Sequence, residues 1–305
     1  MANGSRTGIK RSRQGPWDAG EVMSIFIKSE VHKLLPNPSL LTRIPHRMVR
    51  ERISSALIME DDVDWDIMLK AQMLEFARGT RHLTRAPLNT HSPYGDSWDL
   101  LTTGHCGVLN RLEDQEYWVI ENDPTAVIPA KRTWQKKPNL TPEILSGDRT
   151  RLVFSPSKLS CLGSYALSLQ GAARILYDQS ILPNAQGIDS ALGEFCNRRE
   201  YGANLCLATY PMITGIHLPA GDTSKDSDRR VVQPGMIREV AQSDHLVFPI
   251  RLNLALLLKG ESVVQAQFPE HALLKEVDVS TLRLPAGRPV FVKAQDYKVD
   301  KKKAS

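Results

Sequence analysis

Long apolar segments are absent from this sequence. No run among its 305 residues reaches the roughly 18–20 apolar positions that span a bilayer. Leu252 to Leu258 comes nearest, and we expect it to be a core segment. The N-terminal region also lacks the uninterrupted apolar stretch of a signal peptide, because Gly, Arg, Lys and Gln recur throughout it. Taken literally, these absences predict a soluble chain that is not exported.

Cysteine is scarce, and its spacing excludes the common zinc and dithiol sites. The four cysteines form no C-x-x-C pair and no zinc-finger spacing. Buried free thiols are the simplest expectation, with one disulfide as the alternative in an oxidising compartment. Internal repeats are also missing, which excludes a repeat architecture. The cysteines are Cys106, Cys161, Cys196 and Cys206.

An excess of charge is missing from the body of the chain. The formal net charge is +5, but nine of the 39 basic residues and only three of the 34 acidic ones lie within the first 50 positions. The remainder therefore carries 30 basic and 31 acidic residues and is close to neutral. The positive total thus does not indicate a nucleic-acid-binding protein. The basic clusters 10–13 and 301–303 are interpreted as solvated tails.

What the sequence does contain is a dense acidic run directly after an apolar one. Ser55 to Met59 is predicted to be a buried strand, and five carboxylates follow within the seven residues Glu60 to Asp66. Ligands of α/β sheets bind at the carboxyl ends of strands. Like charges held this close repel one another unless a cation lies among them, and oxygen ligands suit Mg²⁺ or Mn²⁺. The run predicts a metal-assisted site for a phosphate-bearing donor.

Two other interpretations of the acidic run are weaker. An EF-hand calcium loop would start at Asp62, but Ile67 stands where that loop needs glycine and Met73 where it needs glutamate. An acidic helix start, favoured by the helix dipole, explains one or two of the acids. It does not explain Glu60 and Asp61, which directly follow a strand.

Helical and strand-like patterns alternate along the chain, which predicts an α/β sheet protein. Helices are expected at Glu21 to Leu35, in a stretch ending near Arg52, and at Asp66 to Arg78, Tyr165 to Tyr177 and Ile188 to Cys196. Strands are expected at Ser55 to Met59, Trp98 to Leu101, Trp118 to Ile120 as an edge strand, and Leu205 to Ile216 with a bend at Pro211. The segments Val277 to Leu284 and Val290 to Val299 indicate a terminal hairpin or a loose tail.

Several motifs, taken in order, resemble those of family 25 glycosyltransferases, the lipopolysaccharide and collagen galactosyltransferase type. Ala56-Leu57-Ile58-Met59-Glu60-Asp61-Asp62-Val63 resembles the Glu-Asp-Asp motif of that family, and the segments 62–66 and 91–96 look like its fungal branch. The further similar motifs are Trp98–Leu101 with Gly104–Gly107, Ser164–Ser168 with Gly171-Ala172, Gly187-Ile188-Asp189, and Pro211–Ile213 followed by Ser224–Asp228. The similarity covers residues 48–268.

The resemblance implies a GT-A-like fold, a single mixed α/β sheet flanked by helices that binds a nucleotide sugar at strand ends, usually with Mn²⁺. It implies a GT-A-like glycosyltransferase domain at 48–270, between an atypical, partly disordered segment at 1–47 and a C-terminal tail at 271–305. The implied reaction is inverting transfer of a hexose from a nucleotide sugar, UDP-linked in the simplest case, to a hydroxyl of a glycan or protein acceptor. Family members act in the secretory pathway.

The resemblance and the acidic run together assign the donor site. Glu60 and Asp62, the outer acids of the motif, are expected to bind Mn²⁺ or Mg²⁺. Asp61 and Asp64 are the second choices, next to the nucleotide sugar. His217 and either Asp226 or Asp228 would complete the metal or donor site from the C-terminal side. Asp66 is instead expected to cap the following helix.

Two residues are candidates for the chemistry at the acceptor. Asp189 is the candidate general base that takes the proton of the attacking hydroxyl, or alternatively the N-cap of its short helix. His105 follows a predicted strand and stands between glycines, which permit close approach of a ligand. It is expected to contact the acceptor or the diphosphate, or else to be a hydrogen-bonded structural histidine.

The N-terminal part departs from the family pattern. Residues 1–45 show no Val/Ile-rich strand followed by an arginine-bearing nucleotide segment, and no membrane anchor. The alternative function is therefore a degenerate, non-catalytic relative that acts as a binding or interaction protein. A metal-dependent phosphohydrolase is a third hypothesis.

Overall fold

A mixed sheet is the central feature of the computed structural model, which describes residues 22–27, 40–113, 116–132, 136–141, 144, 147–181, 187–198, 205–226 and 236–298. The strands are β1 (Val22–Ile27), β2 (Ser55–Glu60), β3 (Val63–Trp65), β4 (Leu100–Gly104), β5 (Gly107–Asn110), β6 (Glu116–Ile120), β7 (Arg151–Phe154), β8 (Pro156–Ser160), β9 (Ser164–Ser168), β10 (Cys206–Tyr210), β11 (Thr214–Leu218), β12 (Gly221–Asp222), β13 (Ile237–Arg238), β14 (Gln242–Ser243), β15 (Val263–Gln265), β16 (Glu276–Asp278) and β17 (Arg288–Phe291). The helices are α1 (Leu40–Glu51), α2 (Leu69–Leu83), α3 (Leu169–Ile181), α4 (Ile188–Asn197) and α5 (Ile250–Leu258), with 3-10 turns at Pro129–Lys131, Thr223–Lys225 and Ala294–Asp296.

Eight of these strands form one sheet in the order β1-β2-β9-β4-β10-β7-β6-β17. The pairs β1/β2 and β4/β10 are parallel, and the other neighbours in this sheet are antiparallel. The chain is therefore a mixed α/β protein, as its alternating patterns predict. A smaller sheet, β14-β11-β3, lies beyond the carboxyl end of β2. It brings distant parts of the chain next to the acidic run.

Alternate residues of the central strands face two different cores. On β7, Leu152 and Phe154 belong to the larger core, which also includes buried residues of α1, α3 and α4. Val153, between them, belongs to a second core with Phe76 of α2 and Trp98. Because successive side chains of a strand point to opposite faces, the sheet carries a layer of helix on each side.

The helix predicted for Glu21 to Leu35 is wrong where the structure describes it. Val22–Ile27 is strand β1, which pairs in parallel with β2 from Val22 beside Ser55 to Ile27 beside Glu60. The expectation that residues 1–45 contain no strand is wrong for the same reason. Its sequence, VMSIFI, holds β-branched and aromatic residues that suit a sheet, and pairing with a buried strand outweighs the helical spacing.

Other predicted elements are confirmed in type and shifted in extent. The strand at Ser55 to Met59 is β2, and the helices after residue 66 and at Ile188 are α2 and α4. The helix predicted from Tyr165 begins only at Leu169, because Tyr165 and Leu167 alternate on the inner face of β9 between β2 and β4. The predicted strand through Pro211 is divided there into β10 and β11.

The C-terminal part differs more from expectation. The strand at Trp118 is not at an edge, because β17 pairs with β6 on its outer side. The predicted terminal hairpin is also wrong: β16 pairs with β15. Leu252 to Leu258 is not a core segment but most of helix α5, in which Leu258 remains 79% exposed. Within the described residues no helix is both long and apolar enough to cross a bilayer.

All four cysteines are paired, so the expectation of free thiols is wrong. Cys106 bonds to Cys161, and Cys196 bonds to Cys206. The first pair joins the turns that follow β4 and β8, and the second joins the end of α4 to the start of β10. Both pairings depend on how the strands are brought together, which the spacing of cysteines along the chain does not reveal.

Candidate functional site

The acidic run begins where β2 leaves the sheet. The backbone N–H of Glu60 donates to the carbonyl of Gly163 over 2.9 Å, and the carbonyl of Asp62 accepts from the N–H of His217 over 2.8 Å. Strand β3 then pairs antiparallel with β11. The acids of residues 60–62 therefore lie at the carboxyl end of the apolar strand β2, as the sequence predicts. We refer to residues 60–62 as the acid turn.

The three side chains of the acid turn differ in exposure. Glu60 and Asp61 are exposed, whereas Asp62 is half-buried. Oδ1 of Asp62 is buried and has no hydrogen-bond partner among the described residues. Burial raises the pKa of Asp62 above its usual value, and the nearby charge of Asp61 acts in the same direction. An additional cation at this carboxylate would compensate both effects.

Two basic groups from distant parts of the chain lie beside the turn. The Arg251 guanidinium donates from Nη2 to the carbonyl of Asp61 over 2.8 Å and to that of Val63 over 3.2 Å. His217 Nδ1 lies 3.1 Å from the hydroxyl of Ser243. Burial lowers the pKa of His217, and the positive charge of Arg251 lowers it further by a smaller amount. The imidazole is thus biased toward its neutral form, in which one ring nitrogen has a free lone pair.

The two later acids of the run are turned into the protein. Asp64 is 1% exposed, and its Oδ2 accepts from the Ser243 hydroxyl over 2.6 Å. The Arg251 N–H lies 3.3 Å from both carboxylate oxygens, and the Trp65 N–H donates to Oδ1 over 2.9 Å. These contacts engage Asp64 with the protein's own donors and indicate a role in holding β3 to α5 and β14.

Asp66 is also structural, although not as the predicted helix cap. Its carboxylate accepts from the N–H groups of Met68 and Phe248, each over 2.9 Å. Met68 is the N-cap residue of α2, so Asp66 lies two positions before the cap. Its side chain is fully buried, and burial raises the pKa of Asp66 to about 7. Asp66 ties the start of α2 to the segment that leads into α5.

His105 lies just beyond β4 and is almost fully buried. Its Nε2 lies 2.7 Å from the carbonyl of Thr209, and burial lowers its pKa to about 4. Because a carbonyl only accepts, Nε2 carries the proton and Nδ1 is left as an acceptor. Nδ1 has no partner within the described part of the chain. The hydrogen-bonded histidine of the sequence-based alternative is therefore observed, and one of its nitrogens stays available.

Asp189 lies in the first turn of α4, and Gly187 is the N-cap residue, so the predicted capping role is wrong. The Oδ2 atom of Asp189 accepts from the backbone N–H of Cys161 over 3.0 Å. Cys161 is bonded to Cys106, the neighbour of His105. Asp189 is consequently attached to the turn between β8 and β9, at the same end of the sheet as Glu60.

Of the two acids predicted to complete the donor site, only Asp226 lies among the described residues. It forms an ion pair with Arg238, with Nη1 to Oδ1 at 2.9 Å and a second contact from Nη2 to Oδ2. The pair links the 3-10 turn after β12 to β13. Asp228 is outside the described residues.

No group of three or more His, Cys, Asp or Glu side chains is placed to hold a metal ion within the described ranges. The acid turn does offer Asp62 with one unpartnered oxygen and Glu60 at the surface. Mg²⁺ sites commonly use one or two carboxylates together with substrate phosphates and water. Glu60 and Asp62 therefore fit a site in which substrate phosphates and water complete the coordination of the metal better than a site in which the protein supplies every ligand.

Two cavities lie near these residues. One has a volume of about 40 Å³ and is lined by Val63, Gly163 and His105, among others. A larger one of about 310 Å³ lies between α2, the 91–96 loop and one face of the sheet, and is mostly apolar. Ser54 and Ser55, at the opposite end of β2 from Glu60, line the larger cavity.

Comparison with known proteins gave no counterpart. No protein-family model, curated protein or solved structure matches the chain. Functional assignment therefore depends on the geometry of the site and the motif resemblance.

Arg251 and Ser243 are the site residues that the sequence patterns missed. Arg251 stands 190 positions after Asp61, whose carbonyl it contacts. Neither residue belongs to a recognisable local motif, and each reaches the acid turn only through the pairing of β3, β11 and β14 and the position of α5. Nothing in the amino-acid composition of the chain indicates either residue.

Proposed function

We propose that this chain is a metal-dependent glycosyltransferase that transfers a hexose from a nucleotide sugar, UDP-linked in the simplest case, to a hydroxyl acceptor. The observation that carries the proposal is the buried Oδ1 of Asp62, which has no hydrogen-bond partner among the described residues and lies in the acid turn at the carboxyl end of strand β2. The ordered motifs of family 25 glycosyltransferases, and the mixed sheet flanked by helices, support a GT-A-like fold in the same proposal.

Asp62 and Glu60 would hold Mn²⁺ or Mg²⁺ at the diphosphate of the donor, with Asp61 beside them. Bound there, the ion would neutralise the charge that develops on the departing diphosphate. Arg251 keeps the turn in place through the carbonyls of Asp61 and Val63. Its guanidinium also adds positive charge beside a ligand that carries phosphates.

Asp189 and His105 are the candidates for the acceptor side. An inverting displacement needs a base that removes the hydroxyl proton as the oxygen attacks the anomeric carbon. Asp189 is the candidate base, since its side chain is only half-buried and the Cys161 N–H engages only its Oδ2, whereas His105 is almost fully buried and its Nε2 already donates to Thr209. His105 is better suited to accept a hydrogen bond and so position a hydroxyl group.

Calorimetry with UDP and Mn²⁺ tests the donor site. The unmodified chain should bind UDP in the presence of Mn²⁺ and release sugar from a panel of UDP-hexoses, and Asp62→Asn should lose at least tenfold in affinity, or about 1.4 kcal/mol. Asp148→Asn makes the same chemical change at an exposed turn and should bind as the unmodified chain does. Absence of binding by the unmodified chain, or equal binding by both variants, would reject the assignment.

Two other results would favour the alternative functions. Binding of UDP and Mn²⁺ without sugar release or transfer would favour a non-catalytic relative that acts as a binding protein. Phosphate release from simple phosphate esters, without a preference for nucleotide sugars, would favour a metal-dependent phosphohydrolase.

A further inference from the structure

The larger cavity lies on the face of the sheet that carries α2. Its volume is about 310 Å³. Helix α2 packs over β6 and β7, and the 91–96 loop lines the cavity together with residues of β2, β4 and β9. None of the acid-turn residues 60–62 belongs to the lining, whereas Ser55 at the amino end of β2 does. The cavity is therefore distinct from the proposed donor site.

Small side chains in the sheet create the space. Ala166 of β9 pairs with Leu57 of β2 on one side and with Leu101 of β4 on the other, and all three line the cavity. Residues directly opposite each other in antiparallel strands point to the same face. The short Ala166 side chain between two leucines thus leaves a depression in the sheet surface. The neighbouring pair Ser55 and Ser168, also part of the lining, extends it.

Aromatic side chains form the wall that faces the sheet. Phe76 of α2 and Trp98 are 1% and 5% exposed, so their positions are fixed by the core. The Tyr94 ring lies with its centroid 6.0 Å from that of Phe76, at an interplanar angle of 56°. Met73 adds a flexible thioether. Because aromatic rings pair favourably in tilted and offset arrangements, this wall suits a flat aromatic ligand.

Polar groups of the lining are largely engaged within the protein. Nε1 of Trp98 donates to the carbonyl of Gly95 over 2.9 Å. The hydroxyl of Thr103 lies 2.7 Å from that of Ser164, a hydrogen-bonding distance. The interior of the cavity is mostly apolar as a result. A ligand that presents mainly carbon surface loses little hydration there, whereas a strongly polar one would lose hydrogen bonds to water.

The charge of the lining disfavours an anion. Among the described residues it includes the Asp96 carboxylate but no lysine or arginine. Asp96 accepts from the backbone N–H groups of His91 and Ser92 over 3.1–3.2 Å, which holds the loop together. A negatively charged ligand would meet this carboxylate without a compensating cation.

Size sets the extent of the ligand. An apolar cavity of about 150 Å³ accommodates one benzene ring. A volume of about 310 Å³ is about twice as large, and it lies at the lower end of the roughly 300–1,000 Å³ of small-molecule pockets. Two fused aromatic rings therefore match the available space.

We infer that this cavity is a binding site for a neutral aromatic molecule of two fused rings. The rings lie over Ala166, between the sheet and the aromatic wall of Phe76, Tyr94 and Trp98. The inference depends on the volume, the lining and the charge of the cavity, and not on the function proposed above.

Carbon-13 NMR of the full chain labelled at the methionine methyl groups tests the inference. Addition of 2-naphthol should shift the Met73 methyl resonance saturably, because the ring current of a bound aromatic molecule acts on a methyl group of the lining. The Met48 methyl, fully buried in the core on the opposite face of the sheet, should not move. The anionic analogue 2-naphthoate should bind about tenfold more weakly. Absence of a saturable shift at Met73, or equal affinity for the two compounds, would overturn the inference.

A matched pair of variants adds a second measurement. Ala166→Leu fills the depression between the two leucines and should weaken binding of 2-naphthol about tenfold, or about 1.4 kcal/mol. Ala255→Leu makes the same change at an exposed position of α5 outside the lining and should leave the affinity unaltered. Equal affinities of the two variants would refute the location of the ligand. The comparison of 2-naphthol with 2-naphthoate uses the unmodified chain, so it stands even if Ala166→Leu fails to fold.

Competition with 1-octanol examines an alkyl chain as the occupant instead. It should displace 2-naphthol only weakly, because a flexible chain loses more conformational freedom on binding and cannot pair with the aromatic rings. Tighter binding of 1-octanol than of 2-naphthol would assign the cavity to an alkyl chain and overturn the inference.

The Asp62→Asn variant separates this inference from the transferase proposal. It should lose binding of UDP with Mn²⁺ but keep the response of Met73 to 2-naphthol. A response at Met73 in a chain that never binds UDP would leave the cavity assignment intact and reject the transferase. Displacement of 2-naphthol by UDP would place the nucleotide in this cavity and overturn the inference.

Discussion

Replacing Arg151 by methionine should destabilise the fold far more than the same change at the surface. Arg151 is 2% exposed, and its Nε donates to Oδ2 of Asp123, itself 1% exposed, over 2.6 Å. The guanidinium also donates to the carbonyls of Pro211 and Met212 over 2.8 and 2.6 Å. A further contact reaches the carbonyl of Thr125 over 3.0 Å.

The expected loss follows from what the substitution leaves behind. Methionine fills much of the space but leaves the Asp123 carboxylate buried without its cation, and removing one partner of a buried ion pair costs about 3–5 kcal/mol. The carbonyls of Pro211 and Met212 also lose a donor. These carbonyls lie between β10 and β11, so the segment that brings His217 to the acid turn should loosen as well.

Urea unfolding followed by tryptophan fluorescence under non-reducing conditions measures the loss. The matched control is Arg288→Met, since Arg288 pairs with Glu121 over 2.6 Å but is 60% exposed, and such pairs are worth about 0–1 kcal/mol. Losses below 1 kcal/mol in Arg151→Met, or equal losses in both variants, would refute the reasoning. The double variant Arg151→Met with Asp123→Leu should recover part of the loss, because no unpaired charge then remains buried.

Two further predictions concern titration and disulfides. Burial raises the pKa of Asp66 from 3.8 to about 7, so folding favours the protonated form of this side chain. Protonation of Asp66 therefore stabilises the fold fully below about pH 3.8, and this contribution to the free energy of unfolding is lost as the pH rises through 7. Asp66→Asn should therefore flatten the decline in the free energy of unfolding between about pH 4 and 7, and an unaltered slope would contradict this. Replacing Cys106 and Cys161 by alanine should cost about 4 kcal/mol and replacing Cys196 and Cys206 about 3 kcal/mol, because the sequence separations are 55 and 10. Losses in the reverse order in non-reducing urea titrations would argue against the loop-entropy explanation.

Periodicity predicted the elements whose environment matches their local pattern. The apolar run of β2 lies between β1 and β9 with Ala56, Ile58 and Met59 buried, and the helical spacing after residue 66 is that of α2. Periodicity gave a wrong prediction where a segment is compatible with both a helix and a strand. Val22–Ile27 and Tyr165 onward have apolar residues at helical spacing, but their pairing with β2 makes them strands. Such pairing is decided by residues far away in sequence.

Helix α5 shows a different error, in which an apolar composition wrongly predicted burial. Leu252 to Leu258 looks like a core segment because nearly all its residues are apolar, yet Leu254 and Leu258 are exposed. Asn253 is instead the buried residue of the helix, and its amide donates to the carbonyls of Pro249 and Gln265. Composition indicates how readily a residue is buried, but only the neighbours that pack against a helix determine which face is covered.

The sequence by itself determined that a strand ends in five closely spaced acids and that strands and helices alternate around it, because both features depend on neighbouring residues. Only the tertiary structure decided which of those acids are buried and which stay at the surface. Asp64 and Asp66 turn inward because Ser243, Phe248 and Arg251 supply donors from more than 170 positions away, while Glu60 to Asp62 stay at the rim. A carboxylate is buried only where donors replace its water, and those donors are assembled by long-range folding rather than by the local chain.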